Sequence, residues 1–136
     1  MTPGETVTAF VSALERKDFA TCTSLCGSDL VFENVPLNPP IQRGRGPILA
    51  GLEHLVRNCT LVEWTIGSQI EQGDVVMNER VDRFVFADGT DLRVPVAGVW
   101  TVKDGLIEHW RDYYDFAMWQ QGLEGRSWAE FAASLA

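Results

Sequence analysis

Polar side chains occupy one face of a predicted strand where a protein core would require apolar residues. Successive side chains of a strand point to opposite faces. In the stretch NERVDRF, one face therefore carries three polar residues and one aromatic residue: Asn78, Arg80, Asp82 and Phe84. A second acid, Asp112, follows in the stretch WRDYYD. Two carboxylates with different proton affinities can act as the acid and the base of one reaction, and an arginine can hydrogen-bond to both.

Two turn signals place Arg80 and Asp112 near each other. Hairpin turns are predicted at the stretches ADG and KDG. With three-residue loops at both turns, Arg80 lies opposite Val96, which lies opposite Asp112. With two-residue loops at both, Ala97 is the intervening residue. In either case the two side chains share a face and a level, and their backbones are about 10 Å apart across one strand. The sequence therefore predicts a cluster in which Arg80 bonds to Asp82 and Asp112.

The face that carries this cluster is expected to point into the protein. In the three-residue register the neighbours of the cluster are mainly apolar: Phe84, Val94, Val96, Trp110 and Tyr114. Burial disfavours charge, and one arginine between two carboxylates leaves a net negative charge, so one Asp is expected to hold a proton. The alternative is a salt-bridge ladder on the solvent face of the sheet, because alternating charge is common on exposed strands.

Periodicity predicts the elements that position these residues. Capping residues and helical spacing predict helices over residues 2–17 and 18–27 and over GRGPILAGLEHLVRN, with a short strand at 30–34. From about residue 59 the period becomes two, and Gly-Asp or Asp-Gly turns recur at 15- or 16-residue intervals, so we expect four long strands joined as a meander. A capping box that begins at Ser127 predicts a short final helix.

This order of elements is typical of a single α+β domain, which we expect to span residues 1–136. A strongly curved, mainly antiparallel sheet should wrap around the N-terminal helices to form a cone. The space between the sheet and the helices is then the expected ligand pocket.

Composition excludes several classes of function. Nineteen acidic and eleven basic residues give a net charge of -8, which disfavours binding to nucleic acid or anionic lipid. We find no signal peptide and no apolar stretch near the roughly 20 residues of a spanning helix, so we expect a cytoplasmic protein without membrane insertion. A zinc site built from Cys22, Cys26 and a distant His is the alternative to inert buried thiols. The sequence favours the thiols, because no paired zinc-binding motif is present.

Three motifs together resemble the limonene-1,2-epoxide hydrolase family, which has the nuclear transport factor 2-like, or SnoaL-like, superfold. They are NERVD, WRDYYD and a strand ending FENVPL before a Pro-rich loop. The resemblance implies that Asp112 is the base, Asp82 the general acid, Arg80 the link between them and Asn34 a water-positioning group. One departure is Phe32, which stands where the family has Tyr. The attacking water then has one hydrogen bond fewer, or another hydroxyl supplies it.

The resemblance also implies a cofactor-independent and metal-independent epoxide hydrolase. Water would add to a bulky lipophilic epoxide of terpenoid, sterol or fatty-acid type, giving a vicinal diol by one-step acid and base catalysis. The expected substrate contacts are Phe32, Phe84, Val94, Val96 and Tyr114. An exposed sheet face rich in Trp and Val also suggests a homodimer. Two alternatives remain open, an isomerase or cyclase on the same fold and a non-catalytic module that binds hydrophobic ligands.

Overall fold

The computed structural model describes residues 1–35 and 41–122. Their helices are α1 (Pro3–Glu15), α2 (Phe19–Ser24), α3 (Arg45–Arg57) and α4 (Phe116–Gly122). Their strands are β1 (Cys26–Val35), β2 (Gln42–Arg43), β3 (Cys59–Gln72), β4 (Val75–Phe86), β5 (Asp91–Lys103) and β6 (Leu106–Tyr114). The predicted helix that begins at Ser127 lies outside the described residues. None of the four described helices is both long and apolar enough to cross a membrane.

The first two helices begin where their capping residues predict. Thr2 accepts a hydrogen bond from the backbone of Glu5, and the Glu5 side chain bonds back to Thr2, which completes a capping box. Asp18 caps α2 by accepting a hydrogen bond from the Thr21 backbone N–H. The predicted end of α2 at residue 27 is wrong, because the helix ends at Ser24 and Cys26 already pairs with β6. Strand β1 is longer than predicted for the same reason.

One six-stranded sheet holds the molecule together, in the order β2-β1-β6-β5-β4-β3. Strands β3 to β6 form the predicted antiparallel meander, and β1 pairs with β6 in parallel. Helix α1 packs against β3 to β6 on the face that carries the apolar core. The prediction of an α+β fold with a curved, mainly antiparallel sheet is confirmed.

The first predicted hairpin turn is confirmed. Strands β4 and β5 are joined by a three-residue loop, closed by a hydrogen bond of 2.8 Å from the Phe86 N–H to the Thr90 carbonyl. Gly89 has a φ of +91°, the left-handed conformation that this loop requires. Arg80 consequently lies opposite Val96, as predicted.

The second hairpin differs from the first, so the condition for Arg80 and Asp112 to share one level, two turns of one type, is not met. Strands β5 and β6 are joined by a two-residue loop, in which Asp104 and Gly105 both have positive φ angles of 52° and 77°. Lys103 pairs with Leu106 across this loop. This register alone would place Ala97 opposite residue 112 and would turn the side chain of residue 112 to the outer face of the sheet.

A β-bulge in β6 turns the side chain of Asp112 to the core face of the sheet. Val102 pairs with Ile107, whereas its neighbour Thr101 pairs with His109. Glu108 is therefore the extra residue of the bulge. Because side chains alternate with period two, one inserted residue exchanges the two faces of the rest of the strand. The bulge thus directs the downstream acid of β6 to the core side.

The bulge also changes the level at which Asp112 lies. Asp112 pairs with Gly98, and Gly98 pairs with Asn78. The prediction that Arg80 and Asp112 share one face is correct. The prediction that they share one level with Val96 between them is wrong, because Asp112 lies two residues along the sheet from that level.

Gly98 provides the space through which Arg80 reaches the neighbouring strand. A Cβ atom on Gly98 would lie 2.6 Å from Arg80 Nη1, 2.7 Å from Asn78 Oδ1 and 2.7 Å from Trp100 Nε1. Real Cβ atoms essentially never come this close to another heavy atom. The three polar groups can therefore hold their positions only because residue 98 has no side chain. The sequence predicts that Arg80 crosses over an aliphatic residue, Val96 or Ala97, to reach Asp112. The structure instead pairs Asp112 with Gly98.

We predict that Gly98→Ala destabilises the protein by about 1–3 kcal/mol, because the added methyl group displaces Arg80 and its partners from a closely packed site. Urea denaturation would measure the loss. Gly67→Ala on β3 is the matched control, since the nearest atom to its added Cβ is the Glu79 carbonyl oxygen at 3.8 Å. Equal stability of the two variants would show that Arg80 does not depend on this space.

Candidate active site

The structure brings the three predicted charged residues into one buried cluster. Arg80 Nε donates to Asp82 Oδ1 at 2.7 Å, and Arg80 Nη2 donates to Asp82 Oδ2 at 3.1 Å. The same Nη2 donates to Asp112 Oδ2 at 2.6 Å. The three residues are only 3%, 5% and 6% exposed, so the alternative of a solvent-facing salt-bridge ladder is wrong.

Burial makes Asp82 harder to ionise. It raises the pKa of Asp82 to about 7, an effect that the charge and hydrogen bonds of Arg80 oppose and that the charge of Asp112 reinforces. Burial alone would lower the pKa of Arg80, but the charges and hydrogen bonds of both acids outweigh it and raise the pKa. Arg80 therefore stays charged, and Asp82 can hold a proton near neutral pH.

Asp112 has a second partner that the sequence analysis did not identify. Trp110 Nε1 donates to Asp112 Oδ1 at 2.8 Å. Trp110 lies two residues before Asp112 on β6, so both side chains project from the same face. The motif WRD contains this spacing, but from the sequence Trp110 is predicted only as an apolar neighbour of the cluster. Each oxygen of Asp112 is thus held by one donor, and its remaining lone pairs stay available.

A chain of amides connects Arg80 to the first helix. Arg80 Nη1 and Trp100 Nε1 both donate to Asn78 Oδ1, each at 3.4 Å. Asn78 donates in turn to Gln69 Oε1 at 3.1 Å, and Gln69 Nε2 donates to the Gly4 carbonyl at 3.1 Å. The polar residue at position 78 therefore satisfies buried groups and fixes the orientation of the guanidinium.

Aromatic rings surround the guanidinium. The Cζ atom of Arg80 lies 4.6 Å from the ring centroid of Trp64 and 5.6 Å from that of Trp100. Contacts of this kind stabilise a desolvated cation through the electron-rich ring faces. The indoles thus offset part of the cost of burying Arg80.

The two acids line a cavity of about 440 Å³. Its walls include all the predicted substrate contacts and the predicted water-positioning group, namely Phe32, Asn34, Phe84, Val94, Val96 and Tyr114. Helix α3 adds Ile48, Gly51, Leu52 and Leu55, and the remaining lining residues are Gln42, Trp64, Trp110, Phe116 and Trp119. Arg80 is not among the lining residues, because it lies behind the acids. A mainly apolar wall with a few converging polar groups is typical of a small-molecule site.

Two walls of this cavity were not assigned from the sequence. The apolar face of α3 was predicted as a helix but not as a pocket wall. Helix α4, which contributes Phe116 and Trp119, was not predicted. The residue that marks the start of α4 in the sequence is Asp115. Its side chain accepts a hydrogen bond of 2.9 Å from the Ala117 N–H.

Strand β1 places two more site residues beside β6. The parallel register sets Asn34 opposite Asp112 and Phe32 opposite Trp110. The rings of Phe32 and Trp110 lie 4.3 Å apart between centroids. Position 32 therefore offers an apolar ring and no hydrogen-bond donor to the cavity.

The three cysteines are free, buried thiols. Within residues 1–35 and 41–122 there is no group of three His, Cys, Asp or Glu residues that could hold a metal ion. Burial raises the pKa of Cys22 to about 11 and that of Cys26 to about 12, so both thiols keep their protons at neutral pH.

Comparison with known proteins gives matches over most of the chain. The model of the limonene-1,2-epoxide hydrolase catalytic domain matches residues 1–123. Epoxide hydrolase EphG of Mycobacterium tuberculosis is 34% identical over 128 residues, covering 86% of this chain and 76% of that protein. The structure of a Mycobacterium tuberculosis LEH-like epoxide hydrolase has 32% identity and a TM-score of 0.79, covering 90% of each chain.

The same fold occurs in proteins with other names. A protein from Shewanella denitrificans described as a SnoaL-like polyketide cyclase has a TM-score of 0.80 at 14% identity, covering 91% of this chain and 98% of that one. This similarity shows the fold alone. The family model and the two mycobacterial matches confirm the resemblance found in the three motifs. The chain belongs to the limonene-1,2-epoxide hydrolase family of epoxide hydrolases.

Proposed function

We propose that this protein adds water to a bulky lipophilic epoxide in one step, without a cofactor, and releases a vicinal diol. The observation that carries the proposal is the buried Arg80 bonded to two acids that line one apolar cavity. The pKa of Asp82 is raised to about 7, so Asp82 can give a proton at neutral pH.

In the proposed reaction, Asp82 protonates the epoxide oxygen while Asp112 removes a proton from the attacking water. The water oxygen forms a bond to one ring carbon, and the bond from that carbon to the epoxide oxygen breaks. Neither free hydroxide nor free alkoxide is formed. Each proton transfer supplies about 10²–10⁴-fold in rate. Arg80 bonds to both carboxyl groups, so it stays paired when the proton has moved from one acid to the other.

Asn34 is proposed to hold the attacking water beside Asp112. The two residues are direct neighbours across the parallel pair of β1 and β6, and both line the cavity. Paired residues on adjacent strands have backbones about 4.8 Å apart, which leaves room for a water molecule between their side chains. The amide group can then orient the water without competing for its proton.

The walls of the cavity support a lipophilic substrate. Aromatic rings line the sheet side, and aliphatic side chains of α3 line the other side. A volume of about 440 Å³ accommodates a terpenoid or the reactive part of a sterol or fatty-acid epoxide. Such a substrate gains free energy from leaving water, so it needs few polar contacts besides those at the epoxide.

We predict that the purified enzyme forms diol from lipophilic epoxides and that Asp112→Asn lowers kcat by about 100-fold or more, because the base is lost. Single-turnover reactions in water enriched with oxygen-18 would measure this. One heavy oxygen per diol in the first turnover indicates direct attack by water. Asp29→Asn, at an exposed position on β1, is the matched control.

Failure of every epoxide in a varied panel would overturn this function. Exchange of carbon-bound deuterium by the same enzyme would then identify an isomerase or cyclase. Binding of the compounds without any turnover or exchange would identify a ligand-binding module.

The proposed acid predicts the pH dependence of the rate. Because only protonated Asp82 can donate, kcat/KM should fall as the pH rises above about 7. A pH–rate profile of the wild type would test this. Asp82→Asn should abolish turnover at every pH. A wild-type profile that stays flat across this range would assign the donated proton to another group.

The same pKa has a consequence for stability. Asp82 binds its proton more tightly in the folded state than in the unfolded state, where its pKa is near 3.8. Its stabilising contribution is complete below that pH and is lost as the pH rises through about 7. The stability of Asp82→Asn relative to wild type should therefore increase over this range. Asp91→Asn is the control, because hydrogen bonding to Arg83 lowers the pKa of Asp91.

We also propose that the protein forms a homodimer through the outer face of β4. The sequence predicts an exposed sheet face that is rich in Trp and Val. This is wrong for Trp64, Trp100 and Trp110, which are buried on the core side. Three of the exposed apolar residues, Val75, Met77 and Val81, lie on the outer face of β4 at 40%, 48% and 44% exposure.

Sedimentation velocity at micromolar concentration should therefore give about twice the 15.2 kDa mass of one chain. Val81→Glu should yield monomers, because a second copy would bury the new charge. Met118→Glu on α4 is the control, with a similar exposure of 40%. A single species of one-chain mass for the wild type would remove the proposal.

A further inference from the structure

The proposed water site lacks one hydrogen-bonding group at the position where the family resemblance would supply it. Phe32 has no hydroxyl, and its ring packs against Trp110. Asn34 and Asp112 remain as the polar pair beside the water. A water molecule that donates to both of them has two free lone pairs, of which the reaction uses one. A further donor could hold the other lone pair and orient the attack.

Tyr114 is the one hydroxyl-bearing residue among the described residues that line the cavity. It follows Asp112 by two positions on β6, so both side chains project from the same face. Its ring lies edge-on to Trp119, with centroids 6.3 Å apart and planes at 62°. The ring of Tyr114 is thus half-buried and is held by packing against Trp119.

The positions of Phe32 and Tyr114 are related through the sheet. Asn34 and Asp112 form one cross-strand row, and Phe32 and Trp110 form the next row in one direction along the strands. Tyr114 lies two residues from Asp112 in the other direction. Diagonal neighbours of this kind are about 7–8 Å apart at Cα, which a tyrosine side chain spans. A hydroxyl from either side can therefore reach the space between Asn34 and Asp112.

The electrostatic environment of Tyr114 agrees with this position. Burial raises the pKa of the phenol, and the negative charge of Asp112 raises it further. The phenol therefore keeps its proton at neutral pH and can act as a donor. The outward-facing neighbour Tyr113 is 43% exposed and lies on the other face of the strand.

We propose that the Tyr114 hydroxyl donates a hydrogen bond to the attacking water and so replaces the group that Phe32 lacks. This assignment rests on the proposed hydrolysis. The water donates one hydrogen bond to Asp112 and one to Asn34 Oδ1, accepts a hydrogen bond from Tyr114, and attacks the epoxide carbon with its remaining lone pair. After attack, the proton of the water is on Asp112, and Tyr114 is unchanged.

The test compares Tyr114→Phe with Tyr113→Phe, the matched control on the opposite face. Tyr114→Phe should lower kcat about 10-fold or more, as expected for the loss of one hydrogen bond to a group that gains charge, while KM stays within about threefold. The double variant Phe32→Tyr/Tyr114→Phe should recover most of the lost rate, because a hydroxyl then reaches the water from the other side.

Several outcomes would overturn the assignment. Diol formation by Tyr114→Phe at the wild-type rate would reject the hydroxyl role and leave the proposed function intact. An increase in KM with kcat unchanged would make Tyr114 a wall of the substrate pocket only. Absence of diol from the wild type would remove both the hydrolysis and the assignment that rests on it.

A second measurement does not depend on turnover. The chain contains two tyrosines, so Tyr113→Phe leaves Tyr114 as the sole titrating phenol. Its ionisation, followed by ultraviolet absorbance, should shift to lower pH when Asp112→Asn is added, because a neighbouring negative charge is removed. An unchanged titration would show that the phenol lies too far from Asp112 to share a water molecule with it.

Discussion

The guanidinium of Arg80 is a buried cation. Most of the buried polar side chains, namely Asn78, Asp82 and Asp112, form hydrogen bonds with it. Removing one partner of a buried ion pair costs about 3–5 kcal/mol, because the other charge is left uncompensated. Asp82 and Asp112 neutralise Arg80, while Asn78 and the face of Trp64 occupy its other sides. The site and the stability of the core are therefore determined by the same contacts.

The two acids that bond to Arg80 come from different strands of the sheet. Their meeting at one guanidinium depends on irregularities of the backbone. Asp82 shares a strand with Arg80, so simple alternation brings the two together. Asp112 comes from two strands away. It faces the core because the extra residue Glu108 compensates for the short second hairpin, and Arg80 reaches it because Gly98 has no side chain. A regular sheet with the same hairpin would direct Asp112 to the outer face.

This explains which parts of the site could be predicted from sequence. Alternation, the meander and the first turn depend on local patterns, and they correctly placed Arg80 and Asp82 on the core face. The level of Asp112 depends on the bulge at Glu108, which no local pattern in the sequence marks. The parallel neighbour of Asp112 could not be found locally either, because β1 and β6 are far apart in the chain. The motif resemblance connected Asn34 to Asp112 without explaining the pairing that places them together.

The proton affinity of Asp82 links the chemistry of the site to its energetic cost. An aspartate fully exposed to water would be ionised at neutral pH and could not serve as a general acid. Burial raises its pKa to about 7, but the same burial makes its ionised form unfavourable in the folded protein. Replacement of the whole ionic cluster by apolar residues could make such a core more stable, as in other proteins with buried ion pairs. A carboxyl group with a pKa near 7, bonded to the same arginine as a second acid and facing an apolar cavity, is therefore better explained by its chemistry than by stability.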